Sequence, residues 1–331
     1  MIQKFGELQH LHLELSSKCN ARCPRCPRNF YGFPYPDDFE QVNIDLQQLK
    51  ELIPLDTLAG IKEILINGNY GDFVMNTQAL DIVAWLSDNQ APGGIIKIST
   101  NGSARDRKFW ASLASISNVE VWFCIDGLRD THHLYRQDTD FDTILDNASE
   151  FIRCGGRARW HYTIFPHNQH QVDRARDLAQ SLGFSDFETR VNRRFDGPVY
   201  DRNGRKVFVI GPRDPGELPE SVDIQYVKSI KPTWKPQERT DINCEAAQQK
   251  SAYVSAAGIL APCCYLDLSR ATNLYGHTPA RDKYQDLLLP KIQSLASSES
   301  WFPEIVESWK KDPHAVCQVF CGRNPKHDSC H

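Results

Sequence analysis

Strand-like and helix-like stretches alternate from the N-terminus to about Val191, and this alternation limits the fold more than any other feature. Leu11–Leu15, Ile61–Ile66, Ile95–Ser99, Val119–Ile125, Arg159–Ile164 and Phe187–Val191 are apolar, often β-branched, and bounded by Gly, Asn or Asp. Between them, Leu46–Leu52, Gln78–Leu86, Lys108–Ile116, Phe141–Arg153 and Val172–Leu182 repeat apolar residues at three and four, the period of a half-buried helix. Pro54 is predicted to stop the first of these helices. Six β/α units in series imply a parallel sheet joined by right-handed crossovers. The expected fold class is α/β, a partial (β/α)6 TIM-like barrel. In such folds ligands bind at the C-terminal ends of the strands.

The pattern breaks after residue 195. From Asp196 to Arg239 the chain is rich in Pro, Gly and charge, which predicts a linker with one hairpin turning at Asn203-Gly204 and returning through Val207–Ile210. A third, cysteine-bearing segment follows. There Tyr253–Ser255 and Ile259–Leu260 read as a hairpin, and Lys283–Leu295 as a short helix. The expected division is 1–195, 196–240 and 241–331.

Composition excludes several function classes. The net charge of −4 offers no global basic field for nucleic acid. No apolar run approaches the roughly 20 residues that span a bilayer. Met1–Glu7 has no apolar h-region, so the expected location is cytoplasmic. Eleven cysteines, an odd number in a long chain, suit metal or redox work better than a disulfide framework. Only 18 residues precede Cys19, which reads against an N-terminal peptide-recognition domain.

Cys19, Cys23 and Cys26 form a C-x3-C-x2-C triad on the loop leaving the first strand. Three thiolates can close on one metal centre, but they leave a four-iron cluster one ligand short. Structural zinc is the rival for this triad, with His10 or His12 as fourth ligand. Later strand ends carry further signals. The second ends in Asn67-Gly68-Asn69-Tyr70-Gly71-Asp72, the third in Thr100-Asn101-Gly102, and the fourth in Cys124-Ile125-Asp126-Gly127 followed by His132-His133-Leu134-Tyr135-Arg136. Each has a plain reading: a turn with a capping Asp72, an Asn-Gly turn, and an inert buried Cys124 with loop-lining histidines.

In this order the motifs resemble the radical S-adenosylmethionine (radical SAM) superfamily, over roughly Leu11 to Val191 and again after Asn243. The resemblance implies a [4Fe-4S] cluster on Cys19, Cys23 and Cys26, with S-adenosylmethionine on its fourth iron. Gly71 and Asp72 stand where the superfamily loop binds the methionine amino group, and Asn101 lies in its Thr-Asn-Gly turn. Cys124 takes the place of a ribose-binding Ser. Arg136 matches an arginine that pairs with a carboxylate. Ile164 matches a residue that packs on adenine, and Arg25 stands where an aromatic or apolar residue is common. Arg190, Arg193, Arg194 and Asp196, at the end of the sixth strand, are candidates for substrate or carboxylate contacts, or a solvated edge.

Cys244, then Gly258-x4-Cys263, then Cys317-x3-Cys321 resemble the SPASM/twitch auxiliary-cluster domains of the same superfamily. These four are the expected ligands of a second [4Fe-4S] cluster, with Cys264 or Cys330 able to replace one; zinc is again the rival. Cys154, before Gly155-Gly156, is read as structural. The resemblance implies an oxidoreductase that cleaves S-adenosylmethionine reductively, fed by a flavodoxin or ferredoxin. The preferred substrate is small and polar, undergoing dehydrogenation or epimerisation with Cys124 a candidate hydrogen donor. A peptide-modifying maturase is the first alternative. A zinc-stabilised binding protein without catalysis is the second.

Overall fold

In the computed structural model the strands and helices of the first half form where the sequence patterns put them. The described residues are 8–24, 26–34, 41–192, 197–211, 219–223, 225, 242–268, 309–310, 317–318 and 321–322. Arg25, Arg193, Arg194, Asp196, Cys330 and the expected helix Lys283–Leu295 lie outside them.

The strands in chain order are β1 His10–Leu13, β2 Asn29–Phe30, β3 Phe33–Pro34, β4 Glu63–Ile66, β5 Ile95–Thr100, β6 Val119–Cys124, β7 Arg157–Ile164, β8 Asp186–Val191, β9 Gly197–Tyr200, β10 Lys206–Ile210, β11 Ser251–Val254 and β12 Leu260–Ala261. The main helices of the barrel are α1 Leu46–Leu52, α2 Leu55–Leu58, α3 Ala79–Asn89, α4 Arg107–Ala114, α5 His132–Tyr135, α6 Phe141–Arg153 and α7 Val172–Leu182.

Local chemistry sets the helix ends. Asp45 and Gln48 form a reciprocal capping box at the start of α1, which stops at Ile53, just before Pro54. Asp106 and Asp140 accept from the backbone N–H groups of Phe109 and Thr143 and so begin α4 and α6. Gly183, at φ 86°, closes α7 in the left-handed conformation.

The barrel strands β1, β4, β5, β6, β7 and β8 pair in parallel in that order. The sheet has eight strands rather than six. β11 pairs in parallel with β1, Leu11 opposite Ala252 and Leu13 opposite Val254, and β12 pairs antiparallel with β11. The C-terminal hairpin therefore extends the barrel sheet at its β1 edge. The reason lies in its residues: Ala252, Tyr253 and Val254 are buried and apolar and complete the pleat beside β1. The Pro/Gly-rich stretch is likewise more than a tether. β9 is wholly buried and pairs antiparallel with β10, and Tyr200 stacks over Phe30 with centroids 6.2 Å apart.

One face of the sheet carries Ile64, Ile66, Ile96, Ile98, Val121 and Phe123 into the apolar core. Trp110 of α4 lies 5.2 Å from Phe123, and Phe184 lies 5.4 Å from Trp160. Truncating Trp110, which is fully buried, would cost about 3–5 kcal/mol. The opposite phase of the same strands is polar and lines the barrel lumen. The candidate site forms at the C-terminal end of that face.

Candidate active site at the strand ends

The cysteine loop is held by its backbone. Ser17 N–H donates to the Val42 carbonyl at 2.9 Å, and Cys26 N–H donates to the Cys23 carbonyl at 2.9 Å. Asn29 Nδ2 donates to the Cys23 carbonyl at 3.1 Å, and Arg28 Nη1 to that of Cys19 at 3.1 Å. The thiols lie in one another's fields, Cys23 and Cys26 acting on Cys19 and Cys23 on Cys26. Burial is the main force pushing all three up, Cys26 to about 11. The sulfurs also meet N–H donors: Ala21 N at 3.4 Å and Asn101 Nδ2 at 3.6 Å from Cys19 Sγ, and Arg136 Nη1 at 3.8 Å from Cys23 Sγ. Donors aimed at sulfur suit thiolates, and a cationic iron centre supplies the positive charge that would release their protons. Soft thiolate ligands with one position left open fit a four-iron cluster. Among the described residues no group of three His, Cys, Asp or Glu side chains is placed to hold a single metal ion. His12 is committed elsewhere, its Nε2 2.7 Å from the Asn67 carbonyl.

The glycine loop closes against the cysteine loop. A Cβ on Gly71 would stand 1.8 Å from the Ser16 carbonyl oxygen, so only glycine fits there. Asp72 N–H donates to the Lys18 carbonyl at 2.9 Å. The Asp72 carboxylate is fully engaged. Oδ1 accepts from Thr100 Oγ1 at 2.8 Å and Val74 N at 3.3 Å, and Oδ2 from Asn101 N at 2.7 Å and Asn101 Nδ2 at 2.8 Å. Asp72 therefore caps the turn that follows it and clasps the second strand-end motif to the third. Taking an amino group would require one of these bonds to open.

At the fourth strand end Asp126 and Arg136 make a buried ion pair, Nε to Oδ2 at 2.6 Å. Asp126 Oδ1 also accepts from Thr163 N at 2.6 Å, and His132 Nδ1 accepts from Asp126 N at 3.3 Å. Burial works against the charge of Arg136, but Asp126 and the neighbouring thiols outweigh it and hold the guanidinium protonated. Cys124 Sγ lies 3.4 Å from Ser99 Oγ, and burial raises its thiol. Ser99 thus brings a hydroxyl to the place where Cys124 lacks one. Ile164 packs against the apolar core, in the phase of Trp160 and Tyr162. Cys154 caps the end of α6, beside Glu150 and Arg153.

Below these motifs the lumen wall is polar and its charges are matched. Lys97 pairs with Glu63 at 2.5 Å and lies over the Trp122 ring. Arg157 pairs with Glu120 at 2.9 Å, and Arg159 with Asp186. Arg190 pairs with Glu188 at 3.0 Å. His161 stacks on Trp122 with centroids 4.6 Å apart, and its Nε2 lies 3.2 Å from Glu188 Oε2. Burial lowers His161 to about 4, so the ring is neutral at pH 7.

In the C-terminal segment Cys244, Cys263, Cys317 and Cys321 lie in one another's fields. The Cys321 thiol donates to Cys244, and that bond, ahead of burial, lowers Cys244 to about 7. Asn243 N–H donates to the Cys321 carbonyl at 2.8 Å, and Ile242 bridges to Gly322. The thiol of Cys264 lies in the fields of Asp267 and Glu14 and itself acts on Cys263. Four thiols in one another's fields have the donor chemistry of a closed metal or cluster site.

Sequence patterns alone passed over Glu14, Ser99, Trp122, His161 and Tyr253. The signal for Ser99, Trp122 and His161 was their alternation with the buried apolar residues of β5, β6 and β7, which places them in the lumen.

No family model and no curated protein matches the chain. Solved structures do. SuiB from Streptococcus suis bound to S-adenosylmethionine superposes with a TM-score of 0.56 at 12% identity, covering 97% of this chain and 70% of its own. The anSMEcpe enzyme with bound AdoMet and Cp18Cys peptide gives 0.54 at 16% identity, covering 95% of this chain and 88% of its own. Both hold S-adenosylmethionine in those structures, and the chain has their fold.

Proposed function

We propose that this chain is a radical SAM enzyme that binds S-adenosylmethionine above the Cys19/Cys23/Cys26 loop and takes a hydrogen atom from a polar substrate in the barrel lumen. The observation that carries this reading is the meeting of four strand-end motifs on one face: three thiols, the Gly71 loop, the Thr100–Asn101 turn and the Asp126–Arg136 pair. Cys19, Cys23 and Cys26 would hold a [4Fe-4S] cluster, which supplies the electron that splits S-adenosylmethionine into methionine and a 5′-deoxyadenosyl radical. Arg136 would offer Nη2 to the methionine carboxylate while its Nε stays on Asp126 and its Nη1 on Cys23 Sγ. Ser99 and Cys124 offer the ribose side of the site. Cys244, Cys263, Cys317 and Cys321 would hold a second cluster, able to accept an electron when the net reaction is an oxidation.

Among the described residues, the charges Lys97–Glu63, Arg157–Glu120, Arg159–Asp186 and Arg190–Glu188 are paired, with no surplus cation of this set for a phosphate and no surplus anion for an amine. They favour a substrate whose reacting end is neutral and polar, such as a small alcohol. A peptide substrate is the second reading. SuiB bound to its precursor peptide SuiA, with a TM-score of 0.51, and the peptide complex of anSMEcpe support it.

The test is anaerobic reconstitution with iron and sulfide counts, followed by an assay for 5′-deoxyadenosine with dithionite. Two four-iron clusters require about eight irons per chain, and a Cys19→Ala/Cys23→Ala/Cys26→Ala variant should keep about half and make no 5′-deoxyadenosine. A wild-type chain with zinc and no S-adenosylmethionine cleavage would establish the binding-protein alternative instead.

A further inference from the structure

Glu14 follows β1 and is buried, as are Tyr253 on β11 and Asp267 in the helix Cys264–Leu268. The Tyr253 hydroxyl lies 3.1 Å from Glu14 Oε2 and 3.1 Å from Asp267 Oδ2. It also accepts from Asn69 Nδ2 at 3.2 Å. A tyrosine hydroxyl carries one hydrogen, so it can donate to only one of the two carboxyl groups. The other must bring its own proton and donate to the tyrosine oxygen, because two buried carboxylates facing one oxygen would repel it. Glu14 suits the protonated role: burial, ahead of the bonds from Tyr70 and Gly71, pushes it up to about 7.

The same three residues hold the glycine loop. Glu14 Oε1 accepts from Tyr70 N at 2.6 Å and Gly71 N at 3.1 Å. Asn69 Nδ2 donates to the Cys264 carbonyl at 2.8 Å, and Tyr70 Oη to the Asp267 carbonyl at 3.1 Å. His12 Nε2 donates to the Asn67 carbonyl at 2.7 Å, and the His12 ring meets Tyr253 edge-on at 5.0 Å. Among the described residues, the bonds named here tie this loop to β1 and its extension and to the C-terminal segment.

We propose that Glu14, Tyr253 and Asp267 form a clasp, closed by one shared proton, through which the C-terminal segment positions the Asn67–Asp72 loop for S-adenosylmethionine. Glu14 and Tyr253 are thus positioning residues, and the C-terminal segment acts on the first site as well as on its own cysteines. The role given to the loop rests on the radical SAM reading; the clasp itself does not. The clasp requires the loop to loosen when the shared hydroxyl goes, whether or not S-adenosylmethionine is present.

The experiment uses the reconstituted full chain in two arms. In the first, amide hydrogen exchange is followed across residues 67–72 without S-adenosylmethionine. In the second, S-adenosylmethionine affinity is measured by anaerobic calorimetry. Tyr253→Phe removes only the hydroxyl, and should speed exchange at 67–72 and weaken binding by about tenfold, with iron content unchanged. Glu14→Ala should do more, because it also strands two backbone N–H groups. Glu14→Gln should rescue most of what Glu14→Ala loses, since its amide reproduces a neutral acid that accepts from the loop and donates to Tyr253. Wild-type exchange in Tyr253→Phe, or a Glu14→Gln variant as damaged as Glu14→Ala, overturns the clasp. Faster exchange in a chain that binds no S-adenosylmethionine keeps the clasp and rejects the functional reading.

Discussion

The two groups of cysteines draw the donors at their sulfurs from different parts of the chain. Cys19 and Cys23 meet polar N–H donors from Ala21, Asn101 and Arg136, brought from three separate strand ends. Cys244 takes hydrogen bonds from Cys321, another member of its own group, and from the backbone at Ala246 and Ala247, and Cys263 takes them from the backbone at Tyr265 and Leu266. The first group is tied to side chains of distant strand ends, one of them the charged Arg136. The second is served by its own members and by the residues that follow them. The first arrangement suits chemistry at an open position, and the second suits a structural or electron-accepting centre.

For S-adenosylmethionine binding, the frame around the first group breaks most severely at Gly71. Gly71→Ala would drive a Cβ to 1.8 Å from the Ser16 carbonyl, so the glycine loop must move off the cysteine loop. A backbone clash of this kind costs on the order of 3 kcal/mol. S-adenosylmethionine binding should be lost while iron at the C-terminal group persists, as calorimetry and iron counts on one preparation would show. Wild-type affinity would mean that the loop is not part of the site.

Arg136→Ala should come next. It strands Asp126, whose side chain is fully buried, and removing one partner of such a pair costs about 3–5 kcal/mol. Denaturant unfolding should report that loss. Binding of S-adenosylmethionine should weaken as well, and an unchanged affinity would remove Arg136 from the ligand contacts.

The first site also carries a pH signature. Burial lowers His12 and His132 to about 4, and both are neutral in the folded chain at pH 7. Their folded values lie below the ordinary 6.5, so between about pH 6.5 and 4 the unfolded chain binds more protons. Stability is therefore fully present above pH 6.5 and falls as the pH drops toward 4, by roughly 3 kcal/mol for each group. Glu14, raised to about 7, slopes the other way, its folded form gaining stability as the pH falls from about 7 toward 4.5. His12→Asn should therefore flatten the loss between pH 6.5 and 4 in chemical denaturation, and an unaltered profile would place the effect elsewhere.

The smallest effects separate the members of each group from bystanders. Cys264→Ser should leave C-terminal iron unchanged, because that thiol lies with Asp267 and Glu14, whereas Cys317→Ser should lose it. Cys124→Ser should be tolerated within about twofold in S-adenosylmethionine affinity, since Ser99 already brings a hydroxyl beside it. Intact 5′-deoxyadenosine formation with lost product in Cys124→Ser would make that residue a hydrogen donor.

Much of the fold was legible because its signals are local. The helices Leu46–Leu52, Phe141–Arg153 and Val172–Leu182 match their apolar periods, and their ends are set by Asp45, Asp140 and Gly183. The attachment of β11 to β1 was not legible. Parallel pairing between segments some 240 residues apart leaves no mark in the local pattern of either. The site divided in the same way. The cysteine triad, Gly71, Asp72, Asn101 and Arg136 sit in short motifs that can be read directly. The bonds that saturate Asp72 and the pairing of Arg136 with Asp126 depend on how strand ends meet, and Glu14, Tyr253 and Asp267 come together only when β11 reaches β1.

The central claim is that the Cys19/Cys23/Cys26 loop carries a cluster whose open position takes S-adenosylmethionine. Electron–nuclear double resonance on the reduced, reconstituted chain, with S-adenosylmethionine labelled with nitrogen-15 at its amino group and oxygen-17 at its carboxylate, tests it most directly. Strong hyperfine coupling is expected from both labels to a cluster signal that is absent from the Cys19→Ala/Cys23→Ala/Cys26→Ala variant. A reduced cluster signal from the triad with no coupling to either label would contradict it.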